Sequence, residues 1–207
     1  MPILGCHYYQ DAGIPAPEGR IVFDRIAVLP FQQVVPEDLF SGAVRCPLCG
    51  TIFSGAKTVG SPEMVVESLF LEQLEKRKPK FSVISGERVA GIHRQVVSTV
   101  SLKTPLQRIL SDVGRELGAE GIVTGYVYRF REREGEPFAV NKPASVAFEI
   151  HLTRVEDGAL VWKDAYDRTQ RSLMEDLFQA SSWKWITAEE LAAEGMQQVL
   201  KTFPGLP

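Results

Sequence analysis

Gly118-Ala119-Glu120-Gly121-Ile122-Val123-Thr124-Gly125-Tyr126-Val127-Tyr128-Arg129-Phe130-Arg131 joins a helix to a strand, and its reading decides the fold. Gly118 is a helix stop. Beyond it, Ile122, Thr124, Tyr126, Tyr128 and Phe130 alternate with Val123, Gly125, Val127, Arg129 and Arg131. Both faces begin apolar and one then turns basic, the pattern of a strand that leaves a core. Just upstream, Leu106, Ile109, Leu110, Val113 and Leu117 recur at helical spacing. Thr104-Pro105-Leu106-Gln107 reads as a capping box with proline at the first helical position.

Toward the N-terminus, Ile26-Ala27-Val28-Leu29-Pro30-Phe31 is a short, nearly continuous apolar run, which suits a strand buried on both faces. Residues 32–61 lack periodicity and carry Gly42, Gly50, Gly55 and Gly60, so they read as a long loop, a feature that is often functional. Ser61-Pro62-Glu63 opens a helix whose apolar face is Val65, Val66, Leu69, Phe70 and Leu74. Lys76-Arg77-Lys78-Pro79-Lys80 closes it, and basic residues there complement the helix dipole, a structural role rather than a polyanion site. Phe81-Ser82-Val83-Ile84-Ser85 is a strand, and Val89, Ile92, Val96 and Val97 mark a further helix.

Toward the C-terminus, Val146, Phe148, Ile150 and Leu152 alternate with Ala147, Glu149, His151 and Thr153, which predicts a half-buried strand. A two-residue turn at Asp157-Gly158 would set Leu152 against Lys163. A three-residue loop, Glu156-Asp157-Gly158 with Gly158 left-handed, instead pairs Leu152 with Trp162 and Phe148 with Tyr166. The second register keeps apolar residues on one face and is preferred, with Asp164 opposite Ile150 unexplained. Thr187-Ala188-Glu189-Glu190 caps a last helix lined by Leu191, Met196, Val199, Leu200 and Phe203. The order is β-α-β-α-α-β-β-β-α. A parallel alternating half followed by an antiparallel meander gives an α/β fold with a single mixed sheet flanked by helices.

The 207 residues suit one domain, here 21–207, preceded by a Pro/Gly-rich tether over 1–20. A net charge of -3 argues against nucleic-acid binding, which calls for a basic excess. No apolar run approaches the roughly 18 residues of a membrane-spanning helix. Of three cysteines, Cys46 and Cys49 form a CxxC and Cys6 stands alone. Ile3-Leu4-Gly5-Cys6 resembles a lipobox, in which a cysteine is cleaved and lipidated. A working signal also needs a charged start and an apolar stretch of about 7–15 residues, so lipidation of Cys6 requires a longer precursor.

Three segments together resemble the CsgG/LpoB-like envelope lipoproteins, which include the curli secretion-channel subunit and a penicillin-binding-protein activator. Ile26-Ala27-Val28-Leu29-Pro30-Phe31 is similar to their opening strand. Gly118-Ala119-Glu120-Gly121-Ile122-Val123-Thr124-Gly125 resembles their helix-to-strand segment, and Val155-Glu156-Asp157-Gly158-Ala159-Leu160-Val161-Trp162 resembles their hairpin. The match spans residues 26–200 in order. It implies a fold like the amino-terminal domain of TolB and a periplasmic protein held at the outer membrane through lipidated Cys6. It further implies no catalytic activity, and action through contacts with other envelope proteins in secretion or cell-wall synthesis. The membrane is then touched only through the anchor. The channel members add transmembrane β-hairpins, which need alternating segments of about ten residues. The connection from Arg131 to Ala144 is polar and short, so an accessory or scaffold role is expected rather than a pore. Self-association as a homo-oligomeric structural subunit is a further reading.

Cys46-Pro47-Leu48-Cys49-Gly50 is the sharpest chemical signal. It looks like half of a zinc ribbon, and a closed zinc site needs four ligands, to be completed from Cys6, His7, His93 or His151. An oxidising periplasm favours a short-range disulfide instead. Free or redox-active thiols are the remaining fate. A thiol- or zinc-dependent protein centred on this loop is the alternative to the lipoprotein reading. His93 and His151, with no partner nearby in sequence, read as bystanders, and Arg129 to Glu136 as a solvated hairpin. Trp183-Lys184-Trp185, two aromatics around a cation, is a candidate partner patch. No phosphate loop, HExxH or GxSxG occurs, so an enzyme is not expected.

Overall fold

β6, Gly121–Arg131, is the longest strand and organises the sheet around it. In the computed structural model, residues 22–36, 42–56, 60–136, 139–170 and 186–206 are described. β1 (Arg25–Val28) runs parallel to β6 on one side and to β5 (Ser82–Ile84) on the other. β9 (Ser145–Arg154) runs antiparallel to β6, and β10 (Leu160–Thr169) antiparallel to β9. The order is β10-β9-β6-β1-β5. β2 (Gln32–Gln33) continues the line of β1 beyond Pro30 and also pairs with β6. The main sheet with its helices therefore has the element order read from the sequence.

Among the described residues, four helices cover the sheet. α1 (Pro62–Arg77) and α4 (Ala188–Val199) pack on one face, where Val66, Phe70, Leu74, Leu191, Met196 and Val199 join Ile26, Val123, Phe148 and Ile150 in one core. Arg77 fastens the two helices by donating to the carbonyls of Leu200 and Gln197 at the end of α4, so the basic cluster is structural there. α2 (Glu87–Thr99) and α3 (Leu106–Leu117) pack on the other face against Ala27, Ile122, Tyr126 and Tyr128. Each fully buried large apolar side chain contributes roughly 1.5–3 kcal/mol. Gly125 is required where the core is tightest, because a Cβ there would lie 2.4 Å from the Phe31 ring.

The hairpin after β9 has the register expected from its chemistry. Trp162 faces Leu152 and Tyr166 faces Phe148, with Gly158 at φ +72°. Asp164 stands opposite Ile150 because its carboxylate accepts from the Thr202 hydroxyl at 3.2 Å and from the Ala165 amide at 2.8 Å. The cap expected at Thr104 does not form. The Thr104 amide turns back to the Ser101 carbonyl, and Pro105 takes the N-cap position of α3.

Three further expectations change. Residues 32–61 are not a plain loop: β3 (Ala43–Arg45) and β4 (Ile52–Ser54) form an antiparallel hairpin with the CxxC at its tip. That hairpin lies on the α2/α3 side of the sheet, Phe53 stacking on Tyr128 with ring centroids 4.2 Å apart. As a result β9 is buried on both faces instead of one. Arg129, expected on a solvated hairpin, is buried: it donates to the Ser145 hydroxyl, the Ser54 carbonyl and the Asp167 carboxylate. The chain reaches β9 through a separate ribbon, β7 (Glu134–Glu136) and β8 (Ala139–Lys142).

Candidate metal centre

The CxxC hairpin tip is shaped by its own backbone. The Cys46 amide donates to the Thr51 carbonyl at 2.8 Å, and the Gly50 amide donates to the Cys46 carbonyl at 3.0 Å. Gly50 adopts φ +79°, a left-handed conformation that a side chain would resist. The Cys49 amide points at Cys46 Sγ, 3.5 Å away. Both thiols are thereby turned to the same side, onto the sheet. They are free cysteines, so the disulfide expected from the CxxC is not the form this structure holds.

Beneath the tip lie Glu149 and His151, two residues apart on one face of β9 and 1% and 0% exposed. Glu149 receives the Cys49 thiol at 3.3 Å on each oxygen, and the Tyr128 hydroxyl donates to its Oε2 at 3.2 Å. His151 Nε2 is 3.2 Å from Glu149 Oε2 and 3.6 Å from Cys46 Sγ. One ligand atom each from Cys46, Cys49, Glu149 and His151 lies within 4.8 Å of every other. Lys163, on β10, sits at the edge: its Nζ is 3.0 Å from Thr51 Oγ1, 3.7 Å from Glu149 and 3.9 Å from Cys49 Sγ.

The electrostatics follow from this crowding. The hydrogen bond between the two thiols raises Cys46, with burial adding to it, and lowers Cys49. Burial alone would lower His151, but its hydrogen bonds to Cys49 and Glu149 outweigh burial and its pKa is raised. Burial raises the phenols of Tyr126 and Tyr128, keeping both protonated. The two sulfurs, the imidazole and the carboxylate are the donor set of a soft or borderline divalent cation.

The sequence had set Cys46 and Cys49 as a pair and His151 among three histidines able to complete them, yet also read His151 as a bystander on a polar face. The structure joins it to the cysteines. His93 stays apart, on α2 beside Pro47 and Tyr126 in a cleft of about 200 Å³. Cys6, His7, Trp183, Lys184 and Trp185 lie outside the described residues. Glu149, Tyr128 and Lys163 escaped the sequence reading. The available signal was a carboxylate and an imidazole at i and i+2 inside an otherwise apolar strand.

No protein-family model matches the chain, and no curated protein does. Solved structures do match. The PelC dodecamer from Paraburkholderia phytofirmans shares 15% identity over 89% of both chains, with a TM-score of 0.52. The LpoB C-terminal domain from Salmonella enterica matches at 12% identity over 74% of this chain and 87% of its own, with a TM-score of 0.41. Lipoprotein GNA1162 from Neisseria meningitidis matches at 11% identity over 69% of this chain and 79% of its own, with a TM-score of 0.42. The match to PelC shows a shared fold across most of both chains. LpoB, to which the sequence resemblance pointed, is among the structural neighbours.

Proposed function

We propose that this chain is a non-catalytic lipoprotein of the bacterial envelope. It is held at the periplasmic side of the outer membrane by lipidated Cys6 and acts through protein contacts in envelope assembly, secretion or cell-wall synthesis. The observation that carries this reading is the fold shared with PelC over 89% of both chains. PelC is a dodecamer, and contact with copies of itself is the first contact proposed for this chain. The tether over 1–20 leads from the anchor into the domain, and Trp183-Lys184-Trp185, just ahead of α4, is the proposed patch for other partners. The reading without catalysis is supported by burial: Cys46, Glu149 and His151 are 2%, 1% and 0% exposed, so the cluster is open only on the side of half-buried Cys49.

The test is fractionation in the native host with mass spectrometry of the mature N-terminus. A diacylated Cys6, membrane retention that Cys6→Ser abolishes, and an oligomer by light scattering are expected. Soluble, unmodified protein would overturn the anchor, and a monomer at all concentrations would overturn self-assembly.

A further inference from the structure

We infer that Cys46, Cys49, Glu149 and His151 form a four-ligand structural zinc site that fastens the β3–β4 hairpin to β9. This inference stands apart from the envelope role, since it concerns metal content and not location.

The first argument is geometric. Zinc bonds of about 2.0–2.3 Å place tetrahedral ligand atoms about 3.3–3.8 Å apart. Cys46 Sγ and His151 Nε2 are 3.6 Å apart, Cys49 Sγ and Glu149 3.3 Å, and His151 Nε2 and Glu149 Oε2 3.2 Å. Those pairs stand near the edge lengths of the tetrahedron, and all four atoms fall within 4.8 Å of one another. Small movements of the side chains bring them onto a single ion.

The second argument is chemical. Two sulfurs, one imidazole nitrogen and one carboxylate oxygen select a tetrahedral, borderline-soft cation, and zinc fits that set. Four protein ligands leave no open position for water or substrate, so the site is structural and agrees with the proposed lack of catalysis. The charges also balance. Two thiolates and one carboxylate around a divalent ion leave one net negative charge, and the Lys163 ammonium lies 3.7 Å from Glu149 and 3.9 Å from Cys49 Sγ to meet it. His151 Nε2 is the ring nitrogen that faces the other ligand atoms, 3.6 Å from Cys46 Sγ and 3.2 Å from Glu149 Oε2, so it ligates through its lone pair and the proton stays on the buried Nδ1, which has no hydrogen-bond partner among the described residues. Cysteines bind as thiolates and histidine as neutral imidazole, so uptake of the ion releases protons to solvent.

The third argument concerns what the site holds. β3 and β4 have three residues each, and a two-stranded hairpin is marginal on its own. Its knuckle turns both cysteines onto β9, 100 residues further along the chain for Cys49 and Glu149. A disulfide would tie the knuckle only to itself and leave Glu149 and His151 buried without a cation between them. A thioredoxin-like role calls for an accessible thiolate at a helix N-terminus, whereas Cys46 is 2% exposed and sits on a hairpin. Cys49, half-buried beside Lys163, is the side from which an ion enters.

The experiment is metal analysis of the full chain purified reduced and without chelator, followed by stripping and reloading with zinc alone. One zinc per chain is expected, with a thermal midpoint that falls on stripping and recovers on reloading. Cobalt(II) in the stripped wild-type protein should give the intense visible bands of tetrahedral coordination and a sulfur-to-cobalt charge-transfer band. This readout needs no variant to fold. Glu149→Gln should bind zinc about tenfold or more weakly, and Cys46→Ser with Cys49→Ser should lose it, while His93→Ala keeps it. Failure of reduced wild-type protein to take up zinc would overturn the inference. So would an octahedral cobalt spectrum without charge transfer, undiminished zinc in the double serine variant, or a Cys46–Cys49 disulfide as the form isolated from the native host. Membrane fractionation, by contrast, decides the envelope role alone.

Discussion

Cys46 Sγ and His151 Nε2 lie 3.6 Å apart although 105 residues separate them in the chain. One belongs to a hairpin tip and the other to the middle of β9, so the contact crosses the interior between the hairpin and the sheet. A polar contact at that depth is an all-or-none feature: with its partners it specifies how the hairpin sits, and without them it leaves a buried group unpaired.

His151→Ala in metal-free, reduced protein should therefore destabilise the fold by about 3 kcal/mol, because Glu149 loses a partner while remaining buried. Glu149→Leu should cost a similar amount, and the pair of changes together less than the sum, with a coupling of about 0.5–3 kcal/mol in a double-mutant cycle. Urea unfolding with an unchanged m-value is the measurement. Strict additivity would show that the two side chains do not interact.

Arg129 holds Ser54, Ser145 and Asp167 together from β6, with its Nε 2.7 Å from the Ser145 hydroxyl and Nη1 2.6 Å from the Ser54 carbonyl. Arg129→Met should cost about 1.5–3 kcal/mol, the range for hydrogen bonds to a charged group. Asp167→Asn should cost less than about 1 kcal/mol, because that carboxylate is 42% exposed and water replaces the arginine. Equal losses in the two variants would argue that the ion pair, and not the buried contacts to Ser54 and Ser145, is what matters.

The two predicted capping boxes separate by experiment. Thr187 accepts from the Glu190 amide at 3.0 Å and the Glu190 carboxylate accepts from the Thr187 amide at 2.9 Å, so Thr187→Ala should cost about 1 kcal/mol. Thr104 caps nothing, and Thr104→Ala should stay within about 0.5 kcal/mol of wild type. A loss at position 104 matching that at 187 would mean that α3 starts earlier in solution.

These contrasts show which parts of the molecule its sequence carries. The register of β9 against β10 was legible because it depends on a three-residue loop and on apolar pairs close in sequence, Leu152 with Trp162 and Phe148 with Tyr166. The β3–β4 hairpin was not, since strands of three residues are too short for a period to register. Arg129 looked solvated because its acceptors come from β4, β9 and β10, none of them near it in sequence. The candidate site was half legible: the cysteines announce themselves by spacing, whereas Glu149 and His151 gain meaning only once the hairpin covers them. Thr104 misled because a preceding turn captured its amide before the helix began.

Asp157 offers a pH test away from the cluster. Arg154 grips its carboxylate at 3.0 and 2.6 Å and the Ala159 amide donates to it at 3.0 Å, which lowers its pKa to about 2. A depressed folded-state value means the turn's contribution is present above the unfolded value of about 3.9 and is lost as pH falls through the folded one. The side chain is 47% exposed, so the effect on global stability is small, and the direct reading is better. Carboxyl-carbon NMR should show Asp157 titrating near 2, and Arg154→Gln should return it toward the ordinary aspartate range. A normal midpoint in the wild type would remove the grip from the account.

The hairpin's dependence on its four ligands can be followed without any substitution. The amides of Cys46 and Gly50 are hydrogen-bonded only within the β3–β4 tip, to the carbonyls of Thr51 and Cys46. Those of Phe148 and Ile150 belong to a strand paired on both sides. Local opening of the tip needs only the hairpin to lift, while exchange from β9 needs the sheet to come apart. Zinc-loaded protein should therefore protect Cys46 and Gly50 nearly as well as the sheet, and stripping the metal should speed their exchange by about tenfold or more while Phe148 and Ile150 stay unchanged. Uniform loss of protection would mean that the metal supports the whole fold, and no change at Cys46 would mean that the hairpin is held by Phe53 against Tyr128 and by Arg129 on Ser54 without it.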